Sequence, residues 1–127
     1  MRDPYTVTAD TKKNRLYIDL FLTEIEQAEK IEDEIFAKAK LLEAGWGCIT
    51  NYTAFDVPLT VELIDIAETV MSFLKQLGMG QLVRVLTEEQ SLLRDELKNR
   101  SMKVGGYEGI AVRTRQDADV TLDRTIY

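Results

Sequence analysis

The sequence predicts a single α/β domain with a mixed, mainly parallel sheet of five strands and about four helices. Three observations predict it. Two alternating segments open the chain, helical periodicity then alternates with short apolar runs, and no repeat or linker divides the 127 residues. Helices interleaved with strands indicate parallel pairing, whereas the opening pair indicates an antiparallel hairpin. The predicted order is ββαβαβαβα, in one domain that spans residues 1–127.

The first half of the chain supplies the hairpin, one helix and the third strand. Residues 5–10 and 16–20 alternate between apolar and polar side chains, which predicts the hairpin. Apolar residues at three- and four-residue steps predict a helix over 23–44, with Gly45 as its left-handed cap. The apolar run at 47–52 predicts the third strand.

The second half continues the alternation of helices and strands. Helical periodicity over 60–77 and 88–102 predicts the second and third helices, the latter capped by Thr87. The β-branched run at 82–86 predicts a strand covered on both faces. Two shorter elements close the chain, predicted as a strand at 109–113 and a helix at 116–126.

Composition excludes several classes of protein. A net charge of −6 argues against a nucleic-acid partner, because such proteins present a basic face to phosphates. The single cysteine, Cys48, allows no internal disulfide and lies among apolar neighbours typical of a buried residue. Without a signal-like start at Met1 or an apolar run of 18 residues, we expect neither secretion nor a transmembrane segment, and the expected location is the cytoplasm.

The sequence offers little for catalysis. It contains no histidine, which removes the commonest general base. Gly78-Met79-Gly80 precedes a predicted strand instead of following one, so it is not a nucleotide-binding loop. We therefore expect no enzyme, no catalytic residue, no cofactor and no metal site.

The loop at residues 51–60 follows a predicted strand and leads into a helix, which is where α/β sheets tend to bind ligands. Its candidate binding residues are Tyr52, Phe55, Asp56, Pro58 and Thr60. Asp56 suits a base or metal ligand, but with no acidic partner nearby in the sequence the favoured role is to cap or turn the backbone. Thr60 suits an N-cap, and the same position also suits a phosphorylated residue.

The second predicted helix is more apolar than one buried face requires. Ile64, Met71 and Phe73 widen its apolar stripe, which indicates deep packing or a second apolar contact. Arg84, within the fourth predicted strand, is either a salt-bridged arginine or an anion-binding residue. These four residues complete the set of candidate binding residues.

Short words along nearly the whole chain follow a characteristic order and spacing: Tyr5-Thr6-Val7, Asn14-Arg15-Leu16-Tyr17-Ile18, Cys48-Ile49-Thr50-Asn51 with Phe55, Pro58-Leu59-Thr60, and Val83-Arg84-Val85. In these the chain resembles the STAS-like, SpoIIAA-like family of small bacterial proteins, related in fold to anti-sigma-factor antagonists and distantly to CRAL-TRIO (Sec14-type) lipid-binding domains. The resemblance implies a five-strand, four-helix domain that acts through binding.

The resemblance has one clear departure. Anti-sigma-factor antagonists of this fold carry an Asp-Ser-Ser-Gly type motif with a regulatory phosphoserine at the start of the second helix. Here the corresponding residues 56–60 read Asp-Val-Pro-Leu-Thr, without serine or glycine. The implied module lacks the usual phosphoserine switch.

Two functions are predicted. The first is a regulatory module that binds a protein partner, or a second copy of itself, through the loop at 51–60 and the second helix. The alternative is a carrier or sensor of a lipid or other apolar small ligand, in a cavity beside the second helix. An enzyme ranks third.

Overall fold

The computed structural model describes residues 3–124 and contains one five-stranded sheet with four α-helices. The strands are β1 (Tyr5–Asp10), β2 (Arg15–Leu20), β3 (Gly47–Asn51), β4 (Gln81–Val85) and β5 (Ile110–Val112). The helices are α1 (Ile31–Ala39), α2 (Val61–Gln76), α3 (Ser91–Gly105) and α4 (Arg115–Asp123). The predicted α/β class, with five strands and four helices, is confirmed.

Strand order in the sheet follows the order along the chain, β1-β2-β3-β4-β5. β1 pairs with β2 antiparallel, from Tyr5 opposite Leu20 to Asp10 opposite Arg15. The pairings β2–β3, β3–β4 and β4–β5 are parallel, so the sheet is mixed. Crossovers between adjacent parallel strands have a constant hand, and α1, α2 and α3 therefore lie on one face.

The two faces of the sheet bury different side chains because successive strand residues point in opposite directions. In β2, Leu16 and Ile18 belong to the main core beneath the crossover helices. Tyr17, between them, belongs to a smaller core with Ile49 and Leu122, on the face that α4 covers. Both layers are built in part from this one strand.

The first helical segment differs from its prediction. Instead of one helix over 23–44, the chain forms a 3-10 helix at Ile25–Ala28 and then the shorter α1. The Gln27 side chain accepts hydrogen bonds from the N–H groups of Thr23 and Glu24 (2.8 and 3.0 Å), and Lys30 leaves helical geometry at φ −106° and ψ 12°. The Gln27 bonds cap the start of the 3-10 helix, and the non-helical backbone of Lys30 separates it from α1.

Gly45 is not the cap of α1, which ends at Ala39. It has a φ of +90°, and its N–H donates to the carbonyl oxygen of Gly78 at 2.7 Å. The left-handed conformation predicted for Gly45 is present, but it joins the turns before β3 and β4 instead of ending a helix.

The later helices lie close to their predicted positions. Thr87 and Gln90 form a capping box around the 3-10 turn Glu88–Gln90, which delays the start of α3. α3 ends at Gly105, three residues beyond the predicted Met102, and Gly106 caps it with a φ of +73°. The predicted end of the last helix, at Ile126, lies outside the described residues.

A buried ionic cluster fastens α4 to the second face of the sheet. Arg15 is only 2% exposed and donates to Asp119 at 2.8 Å and to Asp123. The Tyr17 hydroxyl donates to the same Asp119 carboxylate at 2.6 Å. Burial disfavours the charged form of Asp119, but the hydrogen bonds from Tyr17 and Arg15 outweigh it and hold the pKa of Asp119 below its ordinary value.

We expect Asp119→Asn to lower the free energy of unfolding near pH 7 by about 1–2 kcal/mol, because the neutral amide is a weaker acceptor for Arg15 and Tyr17. The folded-state pKa of Asp119 is depressed, so its contribution is present above the unfolded-state pKa and is lost as the pH falls through the folded-state pKa. The free energies of unfolding of wild type and Asp119→Asn should therefore approach each other in acid. Urea unfolding from pH 7 to pH 2 measures this, with Asp117→Asn in the same helix as the control. A difference between Asp119→Asn and wild type that persists in acid would contradict this assignment.

Candidate functional site

A cavity of about 80 Å³ lies between the helical face of the sheet, α2 and the segment that leads into α1. Its walls are mostly apolar, and only Thr50, Tyr52 and Arg84 bring hydroxyl or charged groups. The apolar lining residues are Ile18, Leu20, Leu22, Ile25, Ala28, Ile31, Phe55, Leu63, Ile66, Ala67, Val70, Met71, Leu74, Leu82, Leu93 and Leu97. Such an apolar space with few polar groups is typical of ligand-binding pockets.

The periodicities of sheet and helix explain why these residues converge. Thr50 of β3, together with Leu82 and Arg84 of β4, occupies alternate strand positions that point toward α2. Successive turns of α2 present one continuous stripe to the same space. Two of the wall residues on the helical side, Ala28 and Ala67, have the smallest side chains of the set, which leaves volume between the layers.

An open groove of about 740 Å³ lies outside this cavity, between α2 and the segment that contains the 3-10 turn and the start of α1. Its acidic residues are Glu26, Glu29, Glu32, Glu62 and Asp65. The residues that line both the groove and the cavity are Ile25, Ala28, Ile31, Ile66 and Val70. A single layer of side chains therefore separates the cavity from the groove.

Arg84 is the charged group of the cavity wall and is only 1% exposed. Its Nη2 donates to the carbonyl oxygen of Leu97 at 3.2 Å and contacts the Met71 sulfur at 3.2 Å. Its Nη1 has no hydrogen-bond partner, and within residues 3–124 it is the one buried side-chain nitrogen or oxygen in that state. Burial lowers the pKa of Arg84, an effect that nearby Tyr52 opposes.

Gly109 makes room for this guanidinium. A Cβ atom at this position would stand 2.0 Å from Arg84 Nη1, and the backbone has a φ of +66°. Both features require glycine just before β5. Sequence reasoning assigned no role to Gly109 or to Leu97, although the isolated glycine before a short strand was a signal of close backbone approach.

Four of the predicted binding residues meet in the cavity wall: Tyr52, Phe55, Met71 and Arg84. The Tyr52 and Phe55 rings pack edge to face, with centroids 5.5 Å apart and an interplanar angle of 85°. They close the wall beyond the carboxyl end of β3. The loop at 51–60 thus contributes to the cavity through its aromatic side chains.

The other loop candidates lie outside the cavity wall. Asp56 is exposed, and its backbone N–H donates to the carbonyl oxygen of Leu22 at 2.9 Å. Thr60 is the N-cap of α2, because its hydroxyl oxygen accepts from the Leu63 N–H at 3.2 Å. The capping role predicted for Thr60 is confirmed, and Pro58 is an exposed residue of the approach to this cap.

Two α2 candidates also lie outside the lining. Ile64 is buried and Phe73 is half-buried, and neither lines the cavity. Cys48 is fully buried in the main core, as predicted, and burial raises the pKa of its thiol to about 12. These side chains are packing groups of the layer around the cavity.

Residues 3–124 contain no cluster of three carboxylate or cysteine side chains arranged to hold a metal ion. No helix in that range has the length and apolarity needed to cross a membrane. Comparison with known proteins adds no assignment, since no family model, curated protein or solved structure matches the chain.

We expect Arg84→Met to raise the free energy of unfolding by about 1 kcal/mol, because it replaces a buried charge and an unpaired donor with an apolar chain of similar length. Chemical denaturation measures the change, with the exposed Arg94→Met as a control that should leave stability unchanged. A loss of stability in Arg84→Met would show that the arginine is held for packing.

Proposed function

We propose that this chain is a non-enzymatic binding domain that takes up an apolar small molecule in the cavity between the sheet and α2. The observation that carries the proposal is the apolar wall, which has three polar residues and includes one buried guanidinium. Such a space strongly favours apolar ligands, since transfer of apolar surface out of water contributes roughly 25 cal/mol per Å².

The size of the cavity limits the ligand. Its volume of about 80 Å³ is smaller than the ~150 Å³ of an engineered apolar cavity that holds benzene or xenon. It is also well below the roughly 300 Å³ at which drug-sized pockets begin. A space of this size therefore accommodates a short or branched apolar group, and a longer chain requires the wall to move outward.

The wall toward the groove is the natural route of access. The 3-10 turn Ile25–Ala28 contributes two of the residues that line both spaces, and none of its residues is buried. Short segments with few buried contacts open at low free-energy cost. Displacement of this turn would connect the cavity with the groove and allow a longer ligand to extend outward.

We expect benzene to bind the wild-type protein with displacement of the 3-10 turn Ile25–Ala28, because the cavity alone is smaller than one that holds benzene, and we expect Ala67→Met to abolish that binding by filling the space. Filling the space should also raise the free energy of unfolding by about 1 kcal/mol. Methyl-detected NMR titration reports the binding, and denaturation reports the stability.

Ala37→Met is the matched control, since Ala37 is exposed on α1 and away from the cavity. It should leave both properties unchanged. Absence of benzene contacts at Ile18, Leu82 and Val70 in the wild type would remove the basis of the proposal.

A second candidate function, a STAS-like regulatory module that binds a protein partner, has its own supporting observation. Leu59 and Val61 are 42% and 75% exposed on either side of Thr60, and Val61 also lines the acidic groove. Exposed apolar side chains beside carboxylates suit a basic amphipathic helix. The groove's carboxylates would repel a second copy of the same surface.

The test uses a helical peptide with leucines on one face and lysines beside them. We expect Val61→Asp to weaken its binding about tenfold, as followed by fluorescence anisotropy at 150 mM salt, because the substitution places a charge on the apolar contact. Leu92→Asp, at a residue 73% exposed on α3, is the control and should bind like the wild type. Equal binding by all three proteins would exclude the groove as the docking site.

A further inference from the structure

The unsatisfied guanidinium of Arg84 specifies the chemistry of the ligand beyond its apolar body. An arginine keeps its charge at any physiological pH, so its burial requires an anionic or strongly polar partner. Arg84 is 1% exposed, and no carboxylate forms an ion pair with it among the described residues. Its polar neighbours in the protein include the Leu97 carbonyl oxygen, the Met71 sulfur and the Tyr52 hydroxyl, all of them neutral. The charge is solvated only in part.

We infer that the cavity binds a monocarboxylate with an apolar body, whose carboxylate pairs with Arg84 while its hydrocarbon part contacts the surrounding side chains. This inference rests on the proposed binding of an apolar molecule and adds the head group. Arg84 lines the cavity together with Met71 and Leu97, so an anion bound there lies beside the arginine side chain.

The number of charges favours a carboxylate over a phosphate. The cavity wall contains one cation, and its remaining hydroxyl groups belong to Thr50 and Tyr52. A phosphate monoester carries close to two charges and needs several donors when it is buried. A carboxylate carries one charge and matches a single guanidinium, which leaves a neutral pair inside the protein.

The guanidinium of Arg84 is held in a fixed position at the cavity wall. Nη2 is held by the Leu97 carbonyl, and the glycine at position 109 lies directly against Nη1. A preorganised charge costs less entropy when a ligand pairs with it. Arg84 is thus placed as the specificity-determining residue, with Gly109 as a positioning residue.

The contrasting probes are hexanoate and 1-hexanol, which share a hydrocarbon chain and differ in head group. We expect the wild-type protein to bind hexanoate at least tenfold more tightly than 1-hexanol by isothermal titration calorimetry, because a charge-assisted pair is stronger than a neutral contact. Arg84→Met should lose the preference through weaker hexanoate binding and keep its affinity for 1-hexanol. Arg84→Lys should retain part of the preference.

A series of straight-chain acids from butanoate to decanoate distinguishes two sources of the carboxylate. Tightest binding of butanoate to hexanoate would assign a short-chain acid, and tighter binding of decanoate would assign a fatty acid that extends toward the groove. Both outcomes support the carboxylate.

Equal affinity for hexanoate and 1-hexanol, unchanged in Arg84→Met, would overturn the head-group inference and leave the apolar cavity in place. Absence of binding of benzene and of every member of both series would instead overturn the proposed function, and this inference with it. The wild-type comparison of the two probes requires no variant, so poor folding of an Arg84 substitution does not leave the inference untested.

Discussion

The sequential strand order makes the two faces of the sheet unequal, and the rest of the structure depends on that inequality. Because β2, β3, β4 and β5 are neighbours in chain order, crossovers of one hand place α1, α2 and α3 together. Of the four helices in the described part of the chain, α4 is the one on the opposite face. Three helices over one face give a deep layer in which a cavity can form, whereas the single helix of the other face packs on a thin apolar patch.

The two faces of the sheet each bury an arginine, and the partners of the two guanidinium groups differ in charge. Arg15 pairs with two carboxylates from α4, and Tyr17 bonds one of them, so its charge is balanced and fastens a helix. Arg84 points to the other face and meets neutral acceptors. An ion pair that is complete within the protein fastens parts of the fold together. A buried charge without a balancing charge would be stabilised by a bound anion.

The cavity and the groove are neighbouring spaces that share a thin partition of side chains. The partition consists of side chains from α2, from the 3-10 turn and from the first residue of α1. The two spaces therefore differ chemically over a short distance. The cavity has apolar walls and one charged side chain, whereas the groove carries carboxylates. The carboxylates of the groove disfavour an anion there, whereas the positive charge of Arg84 favours one in the cavity.

Local sequence alone determined the elements and much of their burial. Alternation predicted the hairpin and periodicity predicted α2, since these patterns reflect which side chains face the core. It also selected Tyr52, Phe55, Met71 and Arg84, four of the residues in the cavity wall. It missed the break before α1, where Lys30 leaves helical geometry, and the role of Gly109. Only the tertiary structure decided that Arg84 has no carboxylate partner among residues 3–124 while Arg15 has two, because a pairing between distant segments depends on which faces the crossovers bring together.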